Sequence, residues 1–149
     1  MPEVDLTQSE ADALLTMEKR RIDDRPWLFP AVGGRISVPL ISVNHRESFH
    51  LDVSCGRIDL RRVKYQARSR EVIILARLEL GGPAHRNPDG EEVPCPHLHL
   101  YREHYADKWA FPVPSVEFSH LDDTWESLQD FMGFCRITEP PDIQRGLFA

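Results

Sequence analysis

The stretch Arg62-Val-Lys-Tyr-Gln-Ala-Arg-Ser-Arg-Glu-Val-Ile-Ile-Leu-Ala-Arg-Leu-Glu-Leu80 decides the fold. Its residues alternate with a period of two. Val63, Tyr65 and Ala67 fall on one side of an extended chain, while Arg62, Lys64, Gln66 and Arg68 fall on the other. The pair Ser69-Arg70 interrupts the run, and an apolar, β-branched segment follows from Glu71 to Leu80. A connection this short joins antiparallel neighbours.

The same period extends outward from Arg35 to Tyr101. It predicts strands near Ile36 to Val43, Ser48 to Val53, Arg57 to Arg68, Glu71 to Leu80 and Pro96 to Arg102, with turns at Asn44-His45, Cys55-Gly56 and Ser69-Arg70. Upstream, Thr7 and Glu10 form a capping box, and Leu14, Leu15, Glu18 and Ile22 continue a helix to about Arg21. Between helix and sheet, Asp23 to Gly34 carries Pro26, Pro30, Gly33 and Gly34 and reads as an irregular connector, anchored by Trp27 and Phe29. Downstream, Phe111-Pro-Val-Pro-Ser is extended. Asp122 or Asp123 then caps a helix whose Trp125, Leu128, Phe131, Met132 and Cys135 form one apolar face, read as core packing. The tail from Glu139 to Ala149, with Pro140 and Pro141, is read as loosely ordered. The expected fold is α+β over residues 1–149 as one domain. It comprises an N-terminal helix, a five- or six-stranded mostly antiparallel sheet and a C-terminal amphipathic helix, with closure into a partial barrel as the alternative.

Charge is distributed unevenly. Residues 57–70 carry Arg57, Arg61, Arg62, Lys64, Arg68 and Arg70 against Asp59, a local +5, which leaves −11 on the remainder of a chain whose net charge is −6. A cationic strand face of Arg62, Lys64, Gln66 and Arg68 suits successive phosphates of a nucleic acid. The bland alternative is a solvated sheet face, or one paired with the acidic N-terminal helix. Three cysteines, Cys55, Cys95 and Cys135, show no paired spacing, and the N-terminus is acidic where a secretory leader would be basic, so free thiols in the cytoplasm are expected. The longest apolar stretch, around Val72 to Leu80, is too short to span a bilayer, so no membrane role is expected.

The densest chemistry lies in Pro96-His-Leu-His-Leu-Tyr-Arg-Glu103 and in the loop before it, Gly81-Gly-Pro-Ala-His-Arg-Asn-Pro-Asp-Gly90. Strand alternation sends Leu98 and Leu100 to the core and His97, His99 and Tyr101 to the opposite face. Asn87 to Gly90 is a turn signal. A hairpin centred on Pro88 and Asp89 sets His97 opposite Leu80 and His99 opposite Leu78. A one-residue bulge instead sets Arg77 and Glu79 beside the histidines, with His85 hanging above.

Two chemistries fit that face. Histidines exchange protons near neutral pH and cations stabilise phosphoryl charge, so His85, His97, His99, Tyr101 and Arg77 suffice for metal-free cleavage of RNA. Alternatively His97-x-His99-x-x-x-Glu103, which resembles the first metal motif of cupins, together with His85 would hold a divalent transition metal. His104 and His120 lack the setting of a second such motif. The pattern Tyr65-Gln66-x-Arg68, Arg77-Leu78, His85-x-Asn87-Pro88-Asp89-Gly90, His97-Leu98-His99-x-Tyr101-x-Glu103 and Lys108-Trp109-Ala110 resembles a family of small bacterial proteins of unknown function, over roughly residues 48–115. That resemblance implies no activity.

Three functions follow as expectations. The first is an enzyme directed at RNA or another nucleic acid, of the metal-independent ribonuclease toxin type, with no cofactor and with a protein partner such as an antitoxin. The second is a metal-binding enzyme or sensor. The third is a non-enzymatic binding or inhibitory protein that uses its acidic surface on a cationic target complex.

Overall fold

Eight strands share one sheet in the computed structural model, which describes residues 5–59 and 61–146. Helix α1 (Gln8–Thr16) precedes β1 (Lys19–Arg21), β2 (Pro26–Leu28), β3 (Arg35–Ser42), β4 (Ser48–Cys55), β5 (Val63–Ser69) and β6 (Ile73–Leu80). There follow β7 (His85–Arg86), β8 (Glu92–Val93), β9 (His97–Leu100), β10 (Ala110–Pro112), α2 (Thr124–Phe134), β11 (Ile137–Glu139) and β12 (Asp142–Gln144). The large sheet runs β10-β9-β6-β5-β4-β3-β1-β11. It is antiparallel except where β1 meets β11. It stays open, with β10 and β11 at its edges, so the partial barrel is not formed. No helix among the described residues is long and apolar enough to cross a membrane.

Local chemistry explains the elements that matched expectation. The Thr7 hydroxyl accepts from Glu10 N at 3.1 Å and the Glu10 carboxylate accepts from Thr7 N at 3.2 Å, the reciprocal capping box. Asp123 caps α2 through Glu126 N at 2.8 Å. Arg70 and Glu71 both adopt positive φ between β5 and β6, the conformation of a tight hairpin turn.

Four expectations are corrected. The sheet holds eight strands because the short β1, β10 and β11 add to the five predicted ones, and three residues are too few for a readable alternation. Helix α1 stops at Thr16 because Met17 turns extended and Lys19 enters the sheet. Strand β5 begins at Val63, since just before it Gly56 N donates to Arg62 O at 2.6 Å and Arg62 N to Asp59 O at 3.1 Å, which takes Arg62 out of the ladder. A Cβ on Gly56 would lie 2.5 Å from Asp59 O, so glycine is required there. The tail is tied down as far as β12, which pairs with β2 by setting Ile143 beside Trp27; residues 147–149 lie outside the described ones.

Alternation then sorts the sheet into two faces. One cross-strand row reads Ile36, Val53, Tyr65, Leu78, Leu98 and Phe111, and the next reads Val38, Leu51, Ala67, Ala76 and Leu100. Both helices bury their apolar stripes, Ala11 and Leu14 or Leu128, Phe131 and Met132, in the core built on that face. Lys19 is fully buried where the two helices end. Its ammonium donates to the carbonyls of Leu15, Met17 and Cys135 at 2.8, 2.9 and 2.7 Å. Burial lowers its pKa to about 8, and the three carbonyls are the compensation that a buried cation needs.

Candidate functional site

The opposite face is a polar ladder. One row runs Ser37, Asp52, Gln66, Arg77 and His99, and its neighbour runs Arg35, Ser54, Lys64, Glu79 and His97. Strand β9 therefore meets β6 in the shifted register, with Glu79 opposite His97 and Arg77 opposite His99. The ladder itself has no bulge. The shift is absorbed in residues 81–84 and 94–96, between that ladder and the small β7–β8 hairpin, where His85 pairs Val93.

Glu79 sits at the centre of a compact cluster. Its Oε2 accepts from His97 Nε2 at 2.6 Å and lies 3.5 Å from His99 Nε2, while Oε1 lies 3.2 Å from Arg77 Nε and 3.4 Å from Lys64 Nζ. The His99 imidazole, then that of His97 and the Arg77 guanidinium hold the Glu79 carboxyl far below the usual range, against the opposing effect of burial. Arg77 also donates to Asp107 Oδ2 at 2.6 Å.

A loop covers the imidazoles. His97 is 0% and His99 1% exposed. His99 Nδ1 donates to the Asp107 carbonyl at 2.8 Å and His85 Nε2 to the Lys108 carbonyl at 2.7 Å, so two adjacent peptide groups set both tautomers. The His85 ring packs edge-on against His99 with centroids 4.6 Å apart. Asn87 fastens the loop from below, since its side chain donates to Ala110 O at 3.0 Å and accepts from Ala110 N at 2.8 Å. The turn signal at Asn87 to Gly90 is realised, with Gly90 N donating to Asn87 O at 2.8 Å and Gly90 at φ 90°.

The structure thus brings together His85, His97, His99 and Arg77, and it separates Tyr101 and Glu103 from them. Strand β9 ends at Leu100, alternation lapses, and Tyr101 joins the core, where its hydroxyl accepts from Leu6 N at 2.6 Å beside Asp5. Glu103 lies by α1, its backbone N donating to the Gln8 side chain at 3.0 Å, and Glu79 occupies the carboxylate place expected for it.

The cationic strand is also redistributed. Lys64 and Gln66 face the polar side as expected, but Arg68 is spent on Asp52, donating to its two oxygens at 2.5 and 2.9 Å. Arg62 lies in the turn before β5 and, with Arg57, Asp59 and Lys64, lines a cleft of about 550 Å³. A second hollow of about 180 Å³ shares Ser54 and Lys64 with it and adds Arg35, Asp52, Gln66 and Arg77. Sequence reasoning passed over Asp107 and Arg35. Arg35 carried a signal, since it stands two residues before Ser37 on the polar face of β3; Asp107, in a loop, carried none.

An open antiparallel sheet backed by two helices, with a histidine and carboxylate cluster under a loop on its free face, defines the class: a small α+β protein with a sheet-face site. The chain belongs to the family of unknown function DUF6978, whose model matches residues 6–137, well beyond the block that carried the resemblance. No curated protein and no solved structure matches it.

Proposed function

We infer that the polar sheet face binds the phosphate backbone of single-stranded nucleic acid, with RNA as the target class. The observation that carries this reading is the pair Arg57 and Arg62, which have no carboxylate within 4.0 Å among the described residues and border the larger cleft. The acids nearby are committed elsewhere. Asp59 lies 3.2 Å from Arg61, and Asp52 is held by Arg68, Ser37 and Gln66. From the cleft, Lys64, 3.4 Å from Glu79, and Arg35, 3.9 Å from Asp52, extend the basic side chains over about two strand spacings, roughly 10 Å. Exposed cations without a carboxylate partner, such as Arg57 and Arg62, are what a polyanion engages on a grooved surface, with release of counterions.

Cleavage by His97 and His99 draws no support from their burial. His85 is the partly exposed imidazole of the cluster, so binding is the function for which the geometry speaks.

Fluorescence anisotropy with a single-stranded RNA of about 12 nucleotides, at about 50 and 200 mM salt, tests the reading. Binding at low salt should weaken steeply at the higher concentration. The double change Arg57→Glu and Arg62→Glu should reduce affinity at least about tenfold. No binding at low salt, or equal binding by the double variant, sinks it.

A further inference from the structure

We propose that Glu79, His97 and His99 form a binding site for one divalent transition-metal ion. Among the described residues, their ligand atoms are the one convergent set, all within 4.8 Å of one another. The carboxylate is divided between two tasks, since Oε1 faces Arg77 and Lys64 while Oε2 faces both imidazoles.

The decisive detail is His99. Its Nδ1–H is used on the Asp107 carbonyl, which makes Nε2 a lone pair in the neutral ring. That atom is buried, has no hydrogen-bond partner and points at Glu79 Oε2, another acceptor, 3.5 Å away. In the neutral ring two lone pairs would face each other in a buried place, so a cation belongs between them, either a proton on Nε2 given to Glu79 or a metal ion in its place. A carbonyl on the far nitrogen of an imidazole is also the usual outer support of a metal-bound histidine.

Metal–ligand bonds of about 2.0–2.2 Å in a tetrahedron separate the ligand atoms by roughly 3.3–3.5 Å. The Glu79–His99 separation already fits. The Glu79–His97 contact of 2.6 Å is a hydrogen bond, and metal entry lengthens it by just under an ångström while the ring proton moves from His97 Nε2 to the partnerless Nδ1, leaving a neutral imidazole whose Nε2 lone pair meets the ion. Two nitrogens and one oxygen suit Zn²⁺ and its neighbours, and His85 lies alongside, outside the convergent set. Glu103 takes no part.

Untagged protein, stripped with chelator and given Zn²⁺, is separated from free ion and its metal content and melting temperature are measured. The expected result is about one equivalent retained and a rise of roughly 5–10 °C. Glu79→Gln and His99→Gln lose both effects, and Glu103→Gln keeps both. Retention below about a tenth of an equivalent without a thermal shift overturns the proposal, as does undiminished binding by Glu79→Gln. Should those variants fail to fold, Co²⁺ in the wild-type protein decides. Intense visible absorption of a four-coordinate ion supports the site, and the faint spectrum of the hydrated ion refutes it. The RNA reading is tested by other residues and a different readout, so either proposal can fail alone.

Discussion

Glu79 stands directly across the β6–β9 ladder from His97, and its Oε2 accepts from the buried His97 Nε2 at 2.6 Å. Antiparallel partners project to the same side of a sheet, so this pairing carries the carboxylate into contact with both histidines. In chelator-treated protein, Glu79→Leu leaves His97 Nε2 and the Arg77 guanidinium short of an acceptor. The expected cost is about 2–4 kcal/mol, read from the urea midpoint at constant m-value. A change under about 0.5 kcal/mol would show that the contact contributes nothing to the fold.

Asn87 imitates a strand neighbour by bonding both backbone groups of Ala110. Replacing it with Ala orphans a buried N–H and a buried C=O and unfastens the loop that carries His85. The expectation is a loss of about 1–3 kcal/mol together with faster amide exchange across residues 81–96. Global destabilisation without selective exchange in that loop would mean that Asn87 does not hold it.

Asp52 yields a pH prediction. Burial pushes its pKa up, but hydrogen bonds from Arg68, Ser37 and Gln66 outweigh burial, and the net shift is downward. A folded pKa below the unfolded value of about 3.9 means that the unfolded chain binds the proton first as pH falls. The stabilisation is therefore complete above about pH 4 and disappears as pH drops through the folded value. The stability gap between wild type and Asp52→Asn should shrink between pH 6 and pH 2.5. A gap constant over that interval refutes the assignment.

Lys19 joins the ends of α1 and α2 through the carbonyls of Leu15, Met17 and Cys135. Lys19→Met keeps the aliphatic volume and removes the donors, so it should cost about 2–4 kcal/mol at pH 7. Equal or greater stability in the variant would indicate that the burial of the ammonium outweighs its bonds.

Much of the frame was legible because it is written in short-range chemistry. The Thr7–Glu10 capping box and the Asn87 to Gly90 turn each involve groups within a few residues of one another, and both form where expected. The alternation in residues 63–68 also sorted core from polar face correctly, since a strand's side chains have no other choice, whereas in β6 the extra residue Leu75 shifts the alternation by one. Tyr101 failed for the same reason in reverse: the strand ended at Leu100, and the rule lapsed one residue before it was applied.

Of the site, the sequence by itself determined which residues lie on the polar side of β5 and β9, because side-chain direction depends on the local backbone alone. Only the tertiary structure decided what they meet. Loop lengths allowed two β6–β9 registers, and the observed one sets Leu78 against Leu98 and Glu79 against His97, so that apolar meets apolar and polar meets polar. The commitment of Arg68 to Asp52, the covering of His97 and His99, and the placing of the hollow that Arg35 lines beside the cleft that Arg57 and Arg62 line bring together residues remote in the chain. Such contacts depend on the pairing of whole strands and on the docking of a loop, which no local pattern encodes.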